Sequence, residues 1–441
     1  MEVTELIKAE EKRQAETLTL IASENYASRA VREAMSSVFA NKYAEGYPGK
    51  RYYQGNEVTD RLERECQSRA EKLFGAEHVN VQPWSGAIAN QAILWGLRVS
   101  NEDVQLSQHL SSGGHLSMGQ EVSATSVIMH PEHYRLTADG EVDWEELREK
   151  ARQFKPRIIW SGGTAYTKIF AWEKYREIAD ETGAYFVADI SHIGGLVAGG
   201  VHPSPVPWAD VVMTTTHKSL RGPRGAMIMV TARGTEKDPE LIKKIDKGVF
   251  PGVQGGPHME TVAALAVALE EAARPEFAEY AKQVVANAKT LAEELKTAGF
   301  KLVGNGTENH MVWMDLTDKG IDGWTAAAAL EAAGLVTNRQ AIPGDSRPAY
   351  YPSGLRLGTP AVTTRGMKET EMKKVAELIG LGIGAAKRES GGIGNAGGET
   401  ADKAADQAAR KAYKQKISND PELVKIAGQV RELAQKFPVP E

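Results

Sequence analysis

The feature that most constrains the fold is an alternation of short apolar segments with longer amphipathic segments between residues 79 and 230. The short segments are rich in the residues of buried strands, and they lie at residues 79–81, 157–160, 184–190, 210–215 and 226–230. Segments with a helical spacing of apolar residues lie among them, at residues 87–97 and 172–182. Strands that alternate with helices in this way form a mostly parallel sheet flanked by helices. The sequence therefore predicts a large α/β domain.

The character of the sequence changes at about residue 259. A helical stretch continues to residue 298, and Pro275 interrupts it because proline disrupts a helix interior. Two strands, a helix at residues 324–333 and further strands then predict a smaller C-terminal α+β domain. The complete division that we predict is an N-terminal helical arm (1–22), a large domain (23–262), a small domain (263–388), a glycine-rich linker (389–398) and a helical tail (399–441). We expect the tail to serve packing or to be solvated surface.

Composition excludes several classes of protein. The 441 residues are 41% hydrophobic and 25% charged, and they carry a net charge of −5, whereas nucleic-acid binding needs a strong basic excess. The apolar runs are far shorter than the roughly 20 residues that span a bilayer, and no secretory signal is visible. Cys66 is the single cysteine, so an internal disulfide is impossible and a reducing compartment is expected. We predict a cytoplasmic protein without a metal site.

The strongest sign of chemistry is the run TTTHK at residues 214–218, which comes at the end of a predicted strand. A lysine in a mostly desolvated site forms an imine with the aldehyde of a cofactor. Taken alone, Lys218 is better interpreted as a surface lysine. The short β-branched segment before it is unlike a solvated loop, however, and this favours the chemical interpretation.

Two other strand ends carry suitable groups. Asp189 closes the strand predicted at residues 184–190, where open α/β sheets bind ligands, and its carboxylate could keep a pyridine nitrogen protonated. Capping of the next helix is the alternative for Asp189. The turn PWSGAIAN at residues 83–90 opens a helix with small residues, which lets backbone N–H groups approach a phosphate. An ordinary helix cap is the alternative there.

Two further side chains complete the set. Arg356 lies in the alternating strand SGLRLG (353–358) and is suited to a bidentate grip on a carboxylate. His115 follows two glycines and offers an imidazole that could stack on a flat ring. Each of these features is more often structural when it occurs alone.

Together, these residues resemble the serine hydroxymethyltransferase family, whose members are fold-type I enzymes that use pyridoxal 5′-phosphate. The resemblance extends to about residue 386. The matching segments are LIASEN (20–25), NKYAEGYPGKRYY (41–53), TTTHK (214–218), QGGP (254–257) and GTP (358–360). Agreement in segments this long is too specific to arise by chance.

The resemblance implies how the cofactor is held. Lys218 is the Schiff-base lysine, Asp189 pairs with the pyridine nitrogen, and His115 stacks on the ring. The complete set of cofactor residues that it implies is Tyr43, Ser85, Gly86, Ala87, His115, Thr164, Asp189, His192, His217, Lys218 and Gly256. Within this set, His192 and Thr164 lie near the phenolic oxygen, and Ser85, Gly86 and His217 belong to the phosphate cup. A second subunit contributes Tyr43 and Gly256.

The resemblance also implies the substrate residues. Arg356 and Ser23 hold the substrate carboxylate, while Glu45 and Tyr53 of the neighbouring subunit manage the substrate hydroxyl and its protons. The catalytic residues are Lys218, Glu45, Tyr53, His115 and His192. The residues that would face tetrahydrofolate, the co-substrate, are Tyr52, Leu110, Gly114, Leu116 and Gln340.

The chain departs from the family pattern around the phosphate and the folate. Trp84 stands where the family usually has histidine, and Ala87 stands where it usually has serine, so one hydroxyl is missing from the phosphate cup. The usual HGGH…THG becomes SGGH…SMG at residues 112–119, which removes two histidines. Thr164 replaces serine, and Gln340 replaces asparagine beside the pterin.

The resemblance implies the reversible conversion of serine and glycine, with the one-carbon unit passed to tetrahydrofolate, in a homodimer or tetramer. One alternative is a folate-independent aldolase or side-chain transferase for β-hydroxy or α-methyl amino acids, which Gln340 and Met118 suggest. The other alternative is a relative that has lost catalysis and only binds or regulates. Retention of Lys218, Glu45, Tyr53 and Arg356 argues against it.

Overall fold

In the computed structural model, which describes residues 2–391 and 403–440, a seven-stranded sheet forms the centre of the first part of the chain. The strands lie side by side in the order His78–Asn80, Ala226–Val230, Val211–Thr215, Tyr185–Asp189, Ile158–Ser161, Val104–Gln108 and His130–Tyr134. Ala226–Val230 runs antiparallel to both of its neighbours, and the other strands share one direction. The predicted α/β class with a mostly parallel sheet is confirmed.

Both faces of this sheet are buried. Successive residues of a strand belong to different hydrophobic clusters. Ile158 and Val187 lie in one cluster, whereas their neighbours Ile159 and Phe186 lie in the other. Side chains alternate between the faces of a strand, so a strand that is covered on both faces is apolar throughout. This is why the strands were visible as short continuous apolar runs.

The helices of this part pack around the sheet or precede it. Their bounds are Arg29–Met35, Glu57–Phe74, Gly86–Leu97, Thr125–Ile128, Trp144–Phe154, Trp172–Thr182, Gly194–Ala198, Ala232–Lys237, Leu241–Lys247 and Met259–Ala272. A small hairpin is formed by Gly46–Tyr47 and Lys50–Arg51. Among the helices of the described residues, none combines the length and the apolar character that a membrane span requires.

The second part of the chain is built on an antiparallel sheet. Its strands lie in the order Lys301–Leu302, Met311–Asp315, Gly354–Gly358 and Asn338–Gln340. The helices around it are Pro275–Thr297, Gly323–Ala332, Pro360–Thr364 and Glu369–Glu389. The N-terminal helix Val3–Glu16 leads into a short strand, Leu18–Thr19, which pairs in parallel with Leu335–Val336. The arm is therefore joined to this second part through its backbone.

Several features differ in detail from the predicted division of the chain. The boundary expected between residues 262 and 263 falls inside the helix Met259–Ala272, whose Met259 and Leu269 pack in the core of the first part. The helix Glu369–Glu389 extends to the start of the predicted linker. Residues 392–402, which include most of that linker, lie outside the described residues.

The tail forms two helices, Lys403–Ile417 and Pro421–Lys436. Asp420 accepts a hydrogen bond from the Leu423 N–H at 2.9 Å, and Pro421 occupies the first helical turn, where proline is tolerated. Tyr413, Leu423 and Val430 are buried in the hydrophobic core of the second part. The tail therefore packs against that part.

The strands Val104–Gln108 and His130–Tyr134 were missing from the sequence prediction, because both contain several polar residues. The structure explains how polar residues are buried there. The Gln105 amide donates to the backbone oxygens of Thr125 and Met129, at 2.8 and 3.1 Å. The amide nitrogen of Gln105 is thus satisfied, which offsets part of the cost of burying the side chain, while its Oε1 has no partner within the described residues.

Candidate active site

The parallel strands bring the strongest sequence signals to one edge of the large sheet. Asp189 ends the strand Tyr185–Asp189, and Lys218 follows the strand Val211–Thr215 by three residues. Ser85, His115 and Thr164 follow three other strands at the same edge. A pocket there is lined by Gly86, His115, Ser117, Met118, Gly163, Asp189, Ser191, His192, Met213, Thr215 and Lys218. The carboxyl edge of such a sheet is the usual ligand-binding position.

Lys218 is buried, and only 8% of its surface is exposed. Burial lowers the pKa of its ammonium to about 8; the Asp189 carboxylate opposes this change, whereas Arg356 and Arg224 add to it. A desolvated lysine next to other cations has more neutral amine at physiological pH. Lys218 is therefore suited to act as a nucleophile.

Asp189 is held by a chain of hydrogen bonds that leads to His115. The Asn90 amide donates to one Asp189 oxygen at 3.2 Å and to the Ser117 hydroxyl at 2.8 Å. Ser117 in turn lies 2.8 Å from Nδ1 of His115 and also donates its backbone N–H to that nitrogen at 3.2 Å. The other Asp189 oxygen accepts from the Ser191 N–H at 2.9 Å. The carboxylate and the imidazole are thus fixed relative to each other.

The helix Gly86–Leu97 begins at the pocket. Ser85 is its N-cap, and Gly86 is its first residue. A Cβ atom on Gly86 would lie 2.6 Å from the Thr215 methyl group, so only glycine fits. The backbone N–H groups of Gly86 and Ala87 stand in the first turn, where helices bind phosphate. His217 follows Thr215 by two residues, and burial lowers the pKa of its imidazole to about 3.

Arg356 reaches the pocket from the antiparallel sheet. Its Nη1 donates to the Thr164 backbone oxygen at 2.5 Å and lies 3.5 Å from Nε2 of His192, while its Nε donates to the Asn338 amide oxygen at 3.2 Å. Only 5% of Arg356 is exposed. Burial, followed by the charges of Lys218 and Arg356, lowers the pKa of His192, which is therefore neutral.

Lys218 and Asp189 thus line this pocket, and a second buried cation, Arg356, lies against its lining residue His192. Buried charges are costly unless they are paired. A ligand that carries negatively charged groups would neutralise the remaining positive charge.

Ser23 comes directly after the N-terminal arm, at the point where the arm packs on the strand Gly354–Gly358, which carries Arg356. The Gly358 N–H donates to the Leu20 oxygen at 2.7 Å. Ala22 packs so closely on Gly358 that a Cβ atom there would lie 2.4 Å from the Ala22 Cα. Ser23 itself is half-buried. The arm therefore places Ser23 on the Arg356 side of the site.

A second group of predicted residues lies around two exposed tyrosines. The rings of Tyr43 and Tyr53 meet edge to face at 5.0 Å, and 57% and 46% of these residues are exposed. Glu45 lies beside Gly255 and Gly256, and Tyr43 lies beside Gly256. The negative charge of Glu45 raises the pKa of Tyr43. Glu45 and Gly256 are themselves partly buried, and we call Tyr43, Glu45, Tyr53 and Gly256 together the exposed group after the two exposed tyrosines.

The predicted folate residues are distributed over three elements. Leu110, Gly114 and Leu116 share the loop after the strand Val104–Gln108. Tyr52 is 72% exposed in the hairpin region and packs on Phe250 at 5.6 Å between ring centres. Gln340 ends the edge strand Asn338–Gln340, where it pairs with Gly354.

Comparison with known proteins agrees with this arrangement. The sequence model of the family described as serine hydroxymethyltransferase matches residues 1–379. The chain belongs to the serine hydroxymethyltransferase family. The predicted resemblance is thus confirmed.

Proteins named serine hydroxymethyltransferase are similar over most of the chain. That of Acidothermus cellulolyticus is 48% identical over 439 residues, which cover 99% of this chain and 95% of the relative. That of Desulfotalea psychrophila is 51% identical over 378 residues, or 86% and 87% of the two chains. That of Sorangium cellulosum is 46% identical over 440 residues, or 100% and 95%.

The departures from the family pattern have definite places in the structure. The Trp84 ring stacks on His258 at 5.1 Å with an interplanar angle of 7°, and its indole N–H donates to the Gly256 oxygen at 3.2 Å. Met118 is buried and lines the pocket. Ser112 is also buried, and its backbone oxygen accepts a hydrogen bond from the Gln108 amide. Trp84 therefore connects the phosphate end of the pocket to the exposed group.

Sequence reasoning gave no role to Asn90, Ser117 and Asn338, although all three hydrogen-bond to predicted site residues. Asn90 was visible in the turn at residues 83–90, and its polarity on an otherwise apolar helix was the available signal. Ser117 and Asn338 carried no such signal.

Proposed function

We propose that the chain catalyses the reversible conversion of serine and glycine, with pyridoxal 5′-phosphate as cofactor and tetrahydrofolate as the acceptor of the one-carbon unit. The observation that carries this proposal is that buried Lys218 and Asp189 line one pocket and that buried Arg356 contacts His192 of the same pocket. Membership of the serine hydroxymethyltransferase family supports it.

The residues present fit this cofactor. Lys218 would hold it covalently, Asp189 would pair with its ring nitrogen, and the first turn at Gly86 would bind its phosphate. Buried Nδ1 atoms of His192 and His217 have no hydrogen-bond partner within the described residues, which suits a ligand rich in oxygen. When bound, pyridoxal phosphate supplies an electron sink for the cleavage of a bond at the amino-acid Cα.

Arg356 would fix the substrate by its carboxylate, together with Ser23. Its guanidinium is already oriented by the Thr164 oxygen and Asn338, so little side-chain freedom is lost on binding. A substrate held by its carboxylate at Arg356 would keep a fixed orientation about Cα. That orientation would select the bond between Cα and Cβ for cleavage.

We propose that the exposed group acts in the site of a second subunit. Tyr43 and Tyr53 are large aromatic residues with about half of their surface exposed, as is typical of a surface that a partner covers. In that position Glu45 and Tyr53 would accept and return the proton of the substrate hydroxyl. The active assembly is then a homodimer or a tetramer.

For the co-substrate, we propose that tetrahydrofolate contacts Leu110, Gly114 and Leu116 in their shared loop, with Gln340 beside the pterin and Tyr52 of the neighbouring subunit. The Gln340 amide can donate and accept hydrogen bonds. We also propose a cytoplasmic location, where the buried thiol of Cys66 stays reduced.

Serine cleavage measured with and without tetrahydrofolate tests the proposed function. We expect the rate of formation of glycine to rise strongly with tetrahydrofolate. If cleavage is equally fast without it, the aldolase that Gln340 and Met118 suggest becomes the better assignment.

Reduction with borohydride, followed by mass spectrometry, tests the cofactor site. We expect the pyridoxyl adduct on Lys218. An adduct on a different lysine would contradict this assignment.

A further inference from the structure

The first tail helix, Lys403–Ile417, inserts a buried arginine into the second part of the chain. The Arg410 guanidinium donates to Asp322 at 2.8 Å and to Asp406 at 3.0 Å, and its side chain is 8% exposed. Asp322 is 1% exposed and also caps the helix Gly323–Ala332 by accepting from the Thr325 N–H at 2.7 Å. Because both charged groups are buried and paired, the position of Arg410 is well defined.

The same guanidinium lies over two aromatic rings. Its Cζ atom is 3.5 Å from the centre of the Tyr351 ring and 4.9 Å from that of Trp324. Tyr351 meets Tyr350 at 5.0 Å and 88°, and Arg339 lies over Tyr350 at 4.0 Å. We call the resulting set of stacked side chains the aromatic row; it consists of Arg410, Trp324, Tyr351, Tyr350 and Arg339. It runs without interruption from the tail to the strand Asn338–Gln340, because Arg339 belongs to that strand.

Two members of the aromatic row, Tyr350 and Tyr351, belong to a loop that joins the predicted folate side of the site to its predicted carboxylate side. Residues 341–353 connect Gln340, on the folate side, to the strand that carries Arg356. Asp345 organises this loop, since its carboxylate accepts from the backbone N–H and the hydroxyl of Ser353 at 2.8 and 2.7 Å. Tyr351 precedes Ser353 by two residues. A displacement of Tyr351 would therefore be transmitted to both ends of the loop.

We propose that Arg410 is a positioning residue for the serine and tetrahydrofolate sites and acts through Tyr351. This inference rests on the proposed function. Arg410 lies beyond residues 1–379, the part that the family model matches, and it reaches the loop before Arg356 through its contact with Tyr351. The planar guanidinium fits this role because it stacks on the ring while it remains bound to two carboxylates.

The experiment compares Arg410→Met with Arg388→Met in the full-length holoenzyme. Arg388 also ties the tail to the second part, through Glu422, but its side chain is 53% exposed and is not part of the aromatic row. For Arg410→Met we expect the KM for tetrahydrofolate to rise about fivefold, which corresponds to loss of the cation–π contact with Tyr351, the ring in the loop, with a smaller change in kcat. Arg410→Lys should recover part of this effect. Arg388→Met should leave both constants unchanged.

Hydrogen exchange provides a readout that does not depend on activity. We expect faster exchange in residues 341–353 of the Arg410→Met protein, with the large sheet unchanged. Tyr351→Leu leaves the ion pairs of Arg410 with Asp322 and Asp406 in place, and it should also speed exchange in residues 341–353. The double variant should then bind tetrahydrofolate no more weakly than Arg410→Met alone, since both changes remove the contact between Arg410 and Tyr351.

Equal KM values for Arg410→Met and Arg388→Met would overturn the proposal, as would faster exchange spread evenly over the second part of the chain. If the unaltered enzyme shows no folate-dependent cleavage, the proposed function fails. Exchange in residues 341–353 then still decides whether Arg410 positions the loop.

Discussion

Replacement of Lys218 by methionine should stabilise the cofactor-free protein at neutral pH. Burial lowers the pKa of Lys218 to about 8, whereas an unperturbed lysine has a pKa of about 10.4. This difference corresponds to about 3 kcal/mol of unfavourable free energy for the buried ammonium at pH 7. Methionine has a similar length and no charge, so the variant avoids this cost.

The stability gained by Lys218→Met should decrease as the pH rises. The folded pKa lies below the unfolded one, so the cost is complete below pH 8, where both states hold the proton. Between about pH 8 and 10.4 the folded protein loses the proton first, and the stability of the unaltered protein rises with pH. The advantage of Lys218→Met should therefore be largest at pH 7 and nearly absent above pH 10.

Thermal unfolding of the cofactor-free proteins measures this effect. An unfolding entropy of about 2.1 cal/mol/K per residue converts about 3 kcal/mol into a rise of about 3 °C in Tm for a chain of this length. The exposed Lys289 supplies the control, and Lys289→Met should have no such effect. A gain in Tm of the same size at pH 7 and at pH 10 would refute the electrostatic reasoning, and so would no gain at pH 7.

Two further predictions concern the shared site and the folate side. Mixed subunits of Glu45→Ala and Lys218→Ala should recover part of the activity, because one site of each hybrid dimer is then unaltered; no recovery despite proven subunit exchange would argue against shared sites. Gln340→Asn should tighten tetrahydrofolate binding by about one to two factors of ten, since an extra methylene in a packed site costs roughly 1–3 kcal/mol, and glycine binding, measured in the same titration, should stay constant.

Much of the site could be predicted from the sequence because its residues stand at the ends of regular elements. Asp189 and Lys218 each follow a buried apolar strand, and Ser85 opens a helix. Parallel strands place such ends at one edge, so order along the chain is enough to predict that these groups meet. Arg356 was found by its alternating strand and the family pattern.

The tail shows the limits of that reasoning. Its helical character was predicted, but its division at Asp420 and Pro421 was missed, because the tail was treated as one Ala-rich helical segment. The Arg410 contacts with Asp322 and Tyr351 were also missed. An arginine on a helix is most often a solvated residue, and nothing local distinguishes one that is buried.

The sequence by itself determined the α/β class and the main chemical groups, since periodic burial and strand-end positions are local properties that a single chain displays. Only the tertiary structure decided how those groups are held. Asn90 joins Asp189 to Ser117, and Asn338 orients Arg356, through hydrogen bonds between elements that are distant in sequence. Such bonds depend on the directions of individual side chains in the packed protein, and no periodicity of the sequence records those directions.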